Sequence, residues 1–205
     1  MDAEVLAAMA HWPNVPDCHG WLALDRRGRW RMRDDACQRQ NLPGDLVRNA
    51  ALRGFIDRNY QRNADGAWFF QNGPQRVYVL LEAAPLVLFT QPGADGPALI
   101  THNGLAVTRI DAAAIDDGGS LWLVTEHGPA IVSDRDLAAL LDCLTRDDGS
   151  RPDPDELLDR CNSAPTGLRL HLPACAAGLP LDIILAGDAG VKFGFISAPC
   201  AKSEG

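Results

Sequence analysis

The chain has 205 residues, of which 46% are hydrophobic and 22% are charged, and its formal net charge is −8. This composition is typical of a globular protein that is long enough for one large or two small domains. The negative charge disfavours non-specific binding to nucleic acid, and no apolar run approaches the roughly 18 residues that a membrane-spanning helix needs.

The N-terminal residues and the cysteines indicate the compartment in which the protein resides. Residues 1–5 carry two acids and no basic region, so they lack the pattern of a signal peptide. We therefore expect a cytoplasmic protein, and six scattered cysteines without a Cys-x-x-Cys pair favour free thiols. The charge is uneven, because residues 1–80 carry a net +2 and residues 81–205 a net −10.

The first element is a helix over residues 3–11, which Trp12-Pro13 ends. After it, a tryptophan follows a turn sequence with an acid and a glycine three times, in segments 25–30, 65–68 and 116–122. Asp-Gly and Gly-Gly supply the positive φ angles of tight turns, and tryptophan suits a half-buried strand. The pattern therefore predicts three β-hairpins whose return strands begin at the tryptophan.

A second helix is predicted from Asp45, as its N-cap, to Tyr60, because apolar residues recur there at helical spacing. Strands are expected afterwards at 68–70, 77–82 and 86–89. Segment 91–97 has five Pro, Gly or Asp residues among its seven, which is typical of a linker. We therefore expect two domains, comprising residues 1–90 and 91–205.

The second domain continues with strands up to residue 132. Ser133 is predicted to cap a helix near 134–144, and a shorter helix is expected at 154–160. Further strands follow, with a hairpin at 187–190 and a last strand at 191–196. The fold class is therefore α+β, with mostly antiparallel hairpins, a few covering helices and related hairpin–helix units in two domains.

No catalytic, phosphate-binding or metal-binding signature is present in the sequence. It has no Gly-x-Ser-x-Gly, no Walker loop and no Gly-x-Gly-x-x-Gly. Cys18 and His19, with His11 and Cys37, do not have the spacing that recurs in zinc sites. We therefore expect no catalytic residue, no metal and no cofactor.

The turn residues and the strands beside them resemble a proteobacterial domain-of-unknown-function family over residues 20–145. The motifs that carry this resemblance are Asp25-x-x-Gly28-x-Trp30, Phe55, Asp65-Gly66-x-Trp68-Phe69, Gly73-Pro74, Val77-x-Val79-x-Leu81-Glu82-x-Ala84-Pro85 and Thr101-x-Asn103-Gly104-x-x-Val107. The resemblance implies two β-rich domains with repeated hairpin–helix motifs and effector binding in signalling. The chain departs from the family at Ala83 and at Gln75-Arg76, and residues 148–205 have no counterpart.

One surface of the first domain carries the candidate ligand-binding residues. Residues 77, 79 and 81 should face inward, so the alternate residues of that strand share the opposite face. A tyrosine and an arginine there are suited to bind an anion or a peptide. The predicted ligand-binding residues are Trp68, Asn72, Arg76, Tyr78 and Arg31.

Together these observations favour a binding or regulatory module that senses a small anionic effector or a protein partner between its two domains. An alternative is a hydrolase or transferase whose site is built from loop carboxylates and histidines. A third hypothesis is a homo-oligomer whose assembly is guided by the oppositely charged halves. No nucleic-acid or membrane partner is expected.

Overall fold

A computed structural model describes residues 1–153, 166–175 and 177–200, and one kind of turn recurs along it. In four turns the first residue donates its N–H to the carbonyl of the residue four positions later, and its side chain accepts that residue's N–H. The fourth residue of each turn is a glycine at positive φ. These turns begin at Asp25, Asn63, Thr101 and Asp116.

Three of these turns are those predicted to precede a tryptophan, and each tryptophan is the first or second residue of its return strand. Trp30 and Trp68 are the first residues of their strands, and Trp122 is the second of its strand. The three predicted hairpins are therefore confirmed.

The chain forms two units, each built on one β-sheet. The first unit comprises Met1–Pro85 and the segment that starts at Gly194. Its six-stranded sheet has the order β3-β2-β1-β6-β5-β4, in which only the β1–β6 pair is parallel among the described strands. Its elements are α1 (Ala3–His11), β1 (Cys18–Leu24), β2 (Trp30–Met32), α2 (Asp35–Arg39), β3 (Asp45–Leu46), α3 (Ala50–Arg58), β4 (Tyr60–Arg62), β5 (Trp68–Asn72) and β6 (Gln75–Leu81).

One face of the first sheet packs against α3. The rings of Phe55 and Phe70 meet edge to face at 5.3 Å, and those of Trp30 and Tyr60 at 5.0 Å. The indole N–H of Trp30 donates to Asp57 in α3 at 2.7 Å. The helix therefore covers this face and leaves the opposite face of the sheet for other contacts.

The second unit, Leu86–Phe193, contains a nine-stranded sheet of order β13-β14-β15-β10-β11-β12-β7-β8-β9. Its β10–β15 and β12–β7 pairs are parallel, and its remaining described pairs are antiparallel. Its strands are β7 (Leu86–Gly93), β8 (Gly96–Thr101), β9 (Ala106–Val107), β10 (Ile110–Asp116), β11 (Leu121–Thr125), β12 (Gly128–Val132), β13 (Leu144–Arg146), β14 (Leu168–Leu170) and β15 (Leu179–Ile184). The helices in its described part are α4 (Leu137–Leu141) and α5 (Ala189–Phe193), with 3₁₀ turns at Pro173–Cys175 and Ala186–Asp188.

The α+β class with mostly antiparallel strands and few helices is confirmed. The segment predicted as a linker, 91–97, forms the tip of the β7–β8 hairpin, since Gly93 pairs with Gly96. The chain instead enters the second unit after Pro85 and returns to the first at Gly194. Proline, glycine and aspartate favour hairpin tips as strongly as linkers, which explains the difference.

The predicted helix over 45–60 is wrong at both ends. Asp45 belongs to β3, and α3 begins only after Asn49, whose side chain accepts the N–H of Leu52 at 3.0 Å. Tyr60, placed at the end of the predicted helix, lies in β4. Asparagine is as good an N-cap as aspartate, so the residue types alone did not decide between the two positions.

The predicted cap at Ser133 is also wrong. Its hydroxyl is buried without a hydrogen-bond partner in the described part of the chain, and α4 spans only Leu137–Leu141. The carboxylate of Asp136 instead accepts the N–H and the hydroxyl of Thr90, at 3.2 and 2.7 Å. The helix predicted at 154–160 lies outside the described residues.

The predicted hairpin at 187–190 and the first half of the predicted strand at 191–196 are helical instead, whereas Ile196 forms a β-bridge with Ala67. A 3₁₀ turn at Ala186–Asp188 leads directly into α5, because neither glycine of the segment adopts positive φ. Asp117 accepts the N–H of Ala186 at 2.8 Å and holds the start of this turn. Gly194, at φ +70°, then ends the helix.

The five cysteines within the described ranges are free thiols, as expected. No helix there is both long and apolar enough to cross a membrane.

Candidate functional site

A cleft of about 690 Å³ lies in the first unit, and all of its lining residues belong to that unit. Its walls come from the start of β1 and Asp17 before it, from β6, from the turn between β4 and β5, and from Ile196, Ala198, Pro199 and Cys200. The polar residues among them are Asp17, His19, Asn63, Asp65, Arg76 and Tyr78.

Strand β6 presents Arg76 and Tyr78 to the cleft because residues on one face of a strand alternate. Phe69 lies opposite Tyr78 on the neighbouring strand, and the guanidinium of Arg76 sits 5.0 Å from the centroid of its ring. Ala67, Phe69 and Tyr78 form a small buried cluster under this face. The aromatic ring therefore supports the arginine from below through a cation–π contact.

The ring of Tyr78 is fixed on two further sides. The imidazole of His19 stacks on it at 4.6 Å with an interplanar angle of 9°. The side-chain amide of Asn63 donates to its hydroxyl at 3.4 Å, while the Asn63 oxygen accepts the N–H of Ala67 at 2.9 Å. Asn63 is thus held by its turn, and the tyrosine hydroxyl is positioned by a residue that has little freedom to move.

The register of β1 against β6 shifts between Cys18 and Leu22, and Gly20 within this stretch has φ +81°. This irregularity brings His19 onto Tyr78. Burial raises the pKa of the neighbouring Cys18 thiol, so that thiol is protonated at neutral pH.

Residues 1–200 match the model of the DUF2944 family, which is described as "Protein of unknown function (DUF2946)". The chain belongs to this family. The predicted membership of a family of unknown function is therefore confirmed, and the match also covers residues 148–200, for which the resemblance gave no counterpart.

No curated protein matches the chain of this DUF2944 member. Two solved structures of DUF1285 family proteins are similar to it, each at 16% sequence identity. The one from Silicibacter pomeroyi DSS-3 covers 71% of this chain and 86% of its own, with a TM-score of 0.45. The one from Shewanella baltica OS155 covers 56% and 85%, with a TM-score of 0.40.

In this DUF2944 member, two of the five residues predicted as a ligand surface, Arg76 and Tyr78, line the cleft. Trp68 is buried in the α3-facing half of the unit, where its ring packs 5.0 Å from that of Tyr60. Asn72 is exposed at the end of β5 and does not line the cleft. Trp68 points to the other face because it is one position out of phase with Phe69 on the strand.

Arg31, the fifth predicted residue, lines a separate and smaller cavity of about 320 Å³. Its Nε donates to the carboxylate of Asp25 at 2.9 Å, and Arg29 donates to the same oxygen at 2.8 Å. Burial alone would raise the pKa of Asp25, but the N–H of Arg29 and the two guanidinium groups outweigh it and lower the pKa. Arg31 is thus already engaged in an ion pair with an internal carboxylate.

Arg76 differs from Arg31 in its electrostatic surroundings. Its side chain is exposed, and no carboxylate in the described ranges lies within ion-pair distance of it. Arginine presents a planar set of N–H donors that matches carboxylate or phosphate oxygens. The cleft therefore contains a supported cation whose hydrogen-bonding capacity is available to a ligand.

The predicted ligand surface does not include His19, Asn63 or residues 196 and 198–200, which all line the cleft. The sequence does indicate a role for Asn63, because it begins a glycine turn of the same kind as those at Asp25 and Asp116. His19 reaches the site only through the register shift of β1. Within the described residues, no group of three or more His, Cys, Asp or Glu side chains is arranged to hold a metal ion.

Proposed function

We propose that the chain is a small-molecule binding module that holds the anionic group of its ligand against Arg76 in the cleft of the first unit. The observation that carries this proposal is the exposed guanidinium of Arg76, which rests on the Phe69 ring without a carboxylate partner among the described residues. A supported and unpaired arginine loses little conformational freedom when it binds an anion.

The size of the cleft supports the proposal. Its volume of about 690 Å³ falls within the range of about 300–1,000 Å³ that is usual for small-molecule sites. Six polar side chains line it beside the apolar ones, and two of the six, Asn63 and Tyr78, are already oriented by hydrogen bonds. A ligand the size of a metabolite fits this space, and the oriented donors favour a polar headgroup.

Two carboxylates, Asp17 and Asp65, also line the cleft. They repel a ligand that carries only negative charge, but they accept hydrogen bonds from an amine or a hydroxyl. We therefore expect a ligand that combines an anionic group with hydrogen-bond donors, such as a phosphorylated amino alcohol or an amino acid.

The test is a thermal-shift screen against inorganic phosphate, phosphoethanolamine, nucleotides, dicarboxylates and amino acids. A ligand present at about 100 times its Kd stabilises the folded state by about 2.7 kcal/mol. The Arg76→Gln variant should bind the same compound at least about tenfold more weakly, which corresponds to about 1.4 kcal/mol.

Arg48→Gln is the matched control, because Arg48 is an exposed arginine of the same unit that does not line the cleft. It removes the same charge and should leave affinity nearly unchanged. Equal weakening in both variants would indicate a general electrostatic effect and would contradict the proposed site.

The hydrolase or transferase alternative has one observation in its favour, since Asp17, Asp65 and His19 line the same cleft. These are the residue types that acid–base catalysis uses. The binding proposal predicts no turnover of generic ester, phosphate or glycoside substrates above background. Turnover that is lost in His19→Ala or Asp17→Asn would favour the enzyme instead.

A further inference from the structure

We propose that the segment 194–200, which we call the strap, is a releasable wall of the cleft whose docking controls access to the site. The role of the strap rests on the proposed binding function of the cleft. Its docking and release are properties of the fold that are measurable without a ligand.

The strap attaches to the first unit by a short series of backbone contacts. The N–H of Ile196 donates to the carbonyl of Gly66 at 3.1 Å, and the N–H of Leu81 donates to the carbonyl of Ser197 at 2.8 Å. Ile196 also forms a parallel bridge with Ala67. The strap therefore lies between the start of β5 and the end of β6, where these two strands no longer pair with each other.

Gly66 shows that this close approach depends on a specific residue. It has φ +90°, and a Cβ placed there would lie 2.6 Å from the carbonyl oxygen of Gly194. Such a distance is far below an ordinary contact, and the other atom belongs to the backbone, which cannot rotate away. Glycine at this position is therefore required both by its turn and by the docked strap.

The docked strap completes the cleft. Ile196, Ala198, Pro199 and Cys200 line it together with Arg76 and Tyr78 of β6. Release of the strap removes one wall of the cleft, so we expect the side chains of His19 and Tyr78 to become more exposed on that side. Access to the polar groups of the site therefore depends on the position of this segment.

Most of the strap is exposed to solvent, because Gly194, Ile196, Ser197, Ala198 and Cys200 are exposed. Besides the two backbone hydrogen bonds, Arg62 donates to the carbonyl of Gly194 at 3.0 Å, and the Phe195 ring is buried at 5% exposure. The following side chain, Ile196, is 41% exposed. A segment with many exposed residues buries little apolar surface, and such segments open locally at a lower free energy than the sheet they dock on.

The test uses the Gly66→Ala variant and amide hydrogen exchange of the ligand-free protein. The amides of Leu81 and Ile196 should exchange at least about tenfold faster than in the unmodified chain. The reason is that the Leu81 N–H donates to the strap and the Ile196 N–H donates from the strap to Gly66. Modification of His19 by diethylpyrocarbonate, located by peptide mass spectrometry, should accelerate in the same variant.

Gly104→Ala is the matched control. Gly104 occupies the same position in a turn of the same kind, with φ +85°, but a Cβ there meets no atom within 4 Å. It should strain its own turn and leave Leu81, Ile196 and His19 unchanged. The amide of Ala67, which donates to Asn63 within the Gly66 turn, is the internal reference for the turn itself.

The Gly66→Ala substitution could open the Gly66 turn itself and so mimic release of the strap. The Phe195→Ala variant separates the two effects, because it removes the buried anchor of the strap and leaves Gly66 intact. The proposal is supported if Leu81 exchanges faster and His19 is labelled faster in either variant, while exchange at Ala67 is unchanged in that variant. Unchanged labelling of His19 despite faster exchange at Leu81 would overturn it, as would unchanged exchange in both variants. Because no ligand is used, these outcomes are independent of the thermal-shift screen.

Discussion

The turn that begins at Asp116 offers the sharpest energetic prediction, because its carboxylate is buried and accepts three hydrogen bonds. One oxygen accepts the N–H groups of Gly118 and Ser120 at 2.9 and 2.8 Å. The other accepts the indole N–H of Trp122 at 2.8 Å. Asp116→Asn keeps an acceptor for the two backbone groups but places an amide N–H₂ where Trp122 donates.

The expected cost follows from which bonds each variant loses. A hydrogen bond to a charged group contributes about 1.5–3 kcal/mol, so Asp116→Asn should lower the free energy of unfolding by about that amount. Asp116→Ala loses all three bonds and should cost about 3–5 kcal/mol. In a Trp122→Phe background the indole donor is absent, and Asp116→Asn should then cost at least 1 kcal/mol less, as an order-of-magnitude expectation for a coupled pair.

Urea denaturation, followed by both far-ultraviolet circular dichroism and tryptophan fluorescence, measures these differences. Two probes are needed because a chain of two units need not unfold in a single transition. An equal cost of Asp116→Asn with and without Trp122 would refute the assignment of the carboxylate as the indole acceptor. A larger cost for asparagine than for alanine would refute the argument about the backbone donors.

Two further predictions concern a carboxylate and a helix cap. Burial alone would raise the pKa of Glu126, but hydrogen bonds from the N–H and hydroxyl of Thr108 outweigh it and lower the pKa to about 2. Since the folded pKa lies below the unfolded value of 4.5, Glu126 stabilises the fold above pH 4.5, and this contribution is lost as the pH falls towards about 2. Urea titrations of Glu126→Gln should therefore show a deficit near neutral pH that shrinks in acid, and a deficit independent of pH would contradict the shift. Asn49→Ala should lower the free energy of unfolding by about 1 kcal/mol, because it removes the acceptor for the Leu52 N–H at the start of α3. Asp45→Ala is its control. An equal loss of stability in Asp45→Ala would instead support a helix that begins after Asp45.

Local features of the fold were predictable from the sequence because their causes are local. One turn and one strand are specified by three residues close in sequence, as at Asp25, Gly28 and Trp30. These are an acidic or polar residue, a glycine three positions later and a tryptophan soon afterwards. The alternation of Arg76 and Tyr78 on one face of β6 likewise follows from the geometry of a single strand.

Long-range features were not predictable from these patterns. The parallel pairing of β1 with β6 and the return of the chain from Gly194 to Gly66 join residues far apart in sequence, and periodicity carries no information about such partners. The site depends on both features, since the first brings His19 to Tyr78 and the second supplies the strap. This is why only part of the predicted ligand surface coincides with the cleft.

The most direct test of the binding site is a ¹H–¹⁵N titration of the isotope-labelled protein with inorganic phosphate, phosphoethanolamine and short dicarboxylates. We expect saturable shifts that cluster at the 63–67 turn, at Tyr78 and along the strap, and that are absent in Arg76→Gln but present in Arg48→Gln. Shifts that cluster elsewhere, or that persist unchanged in Arg76→Gln, would contradict the assignment of the cleft as an anion-binding site.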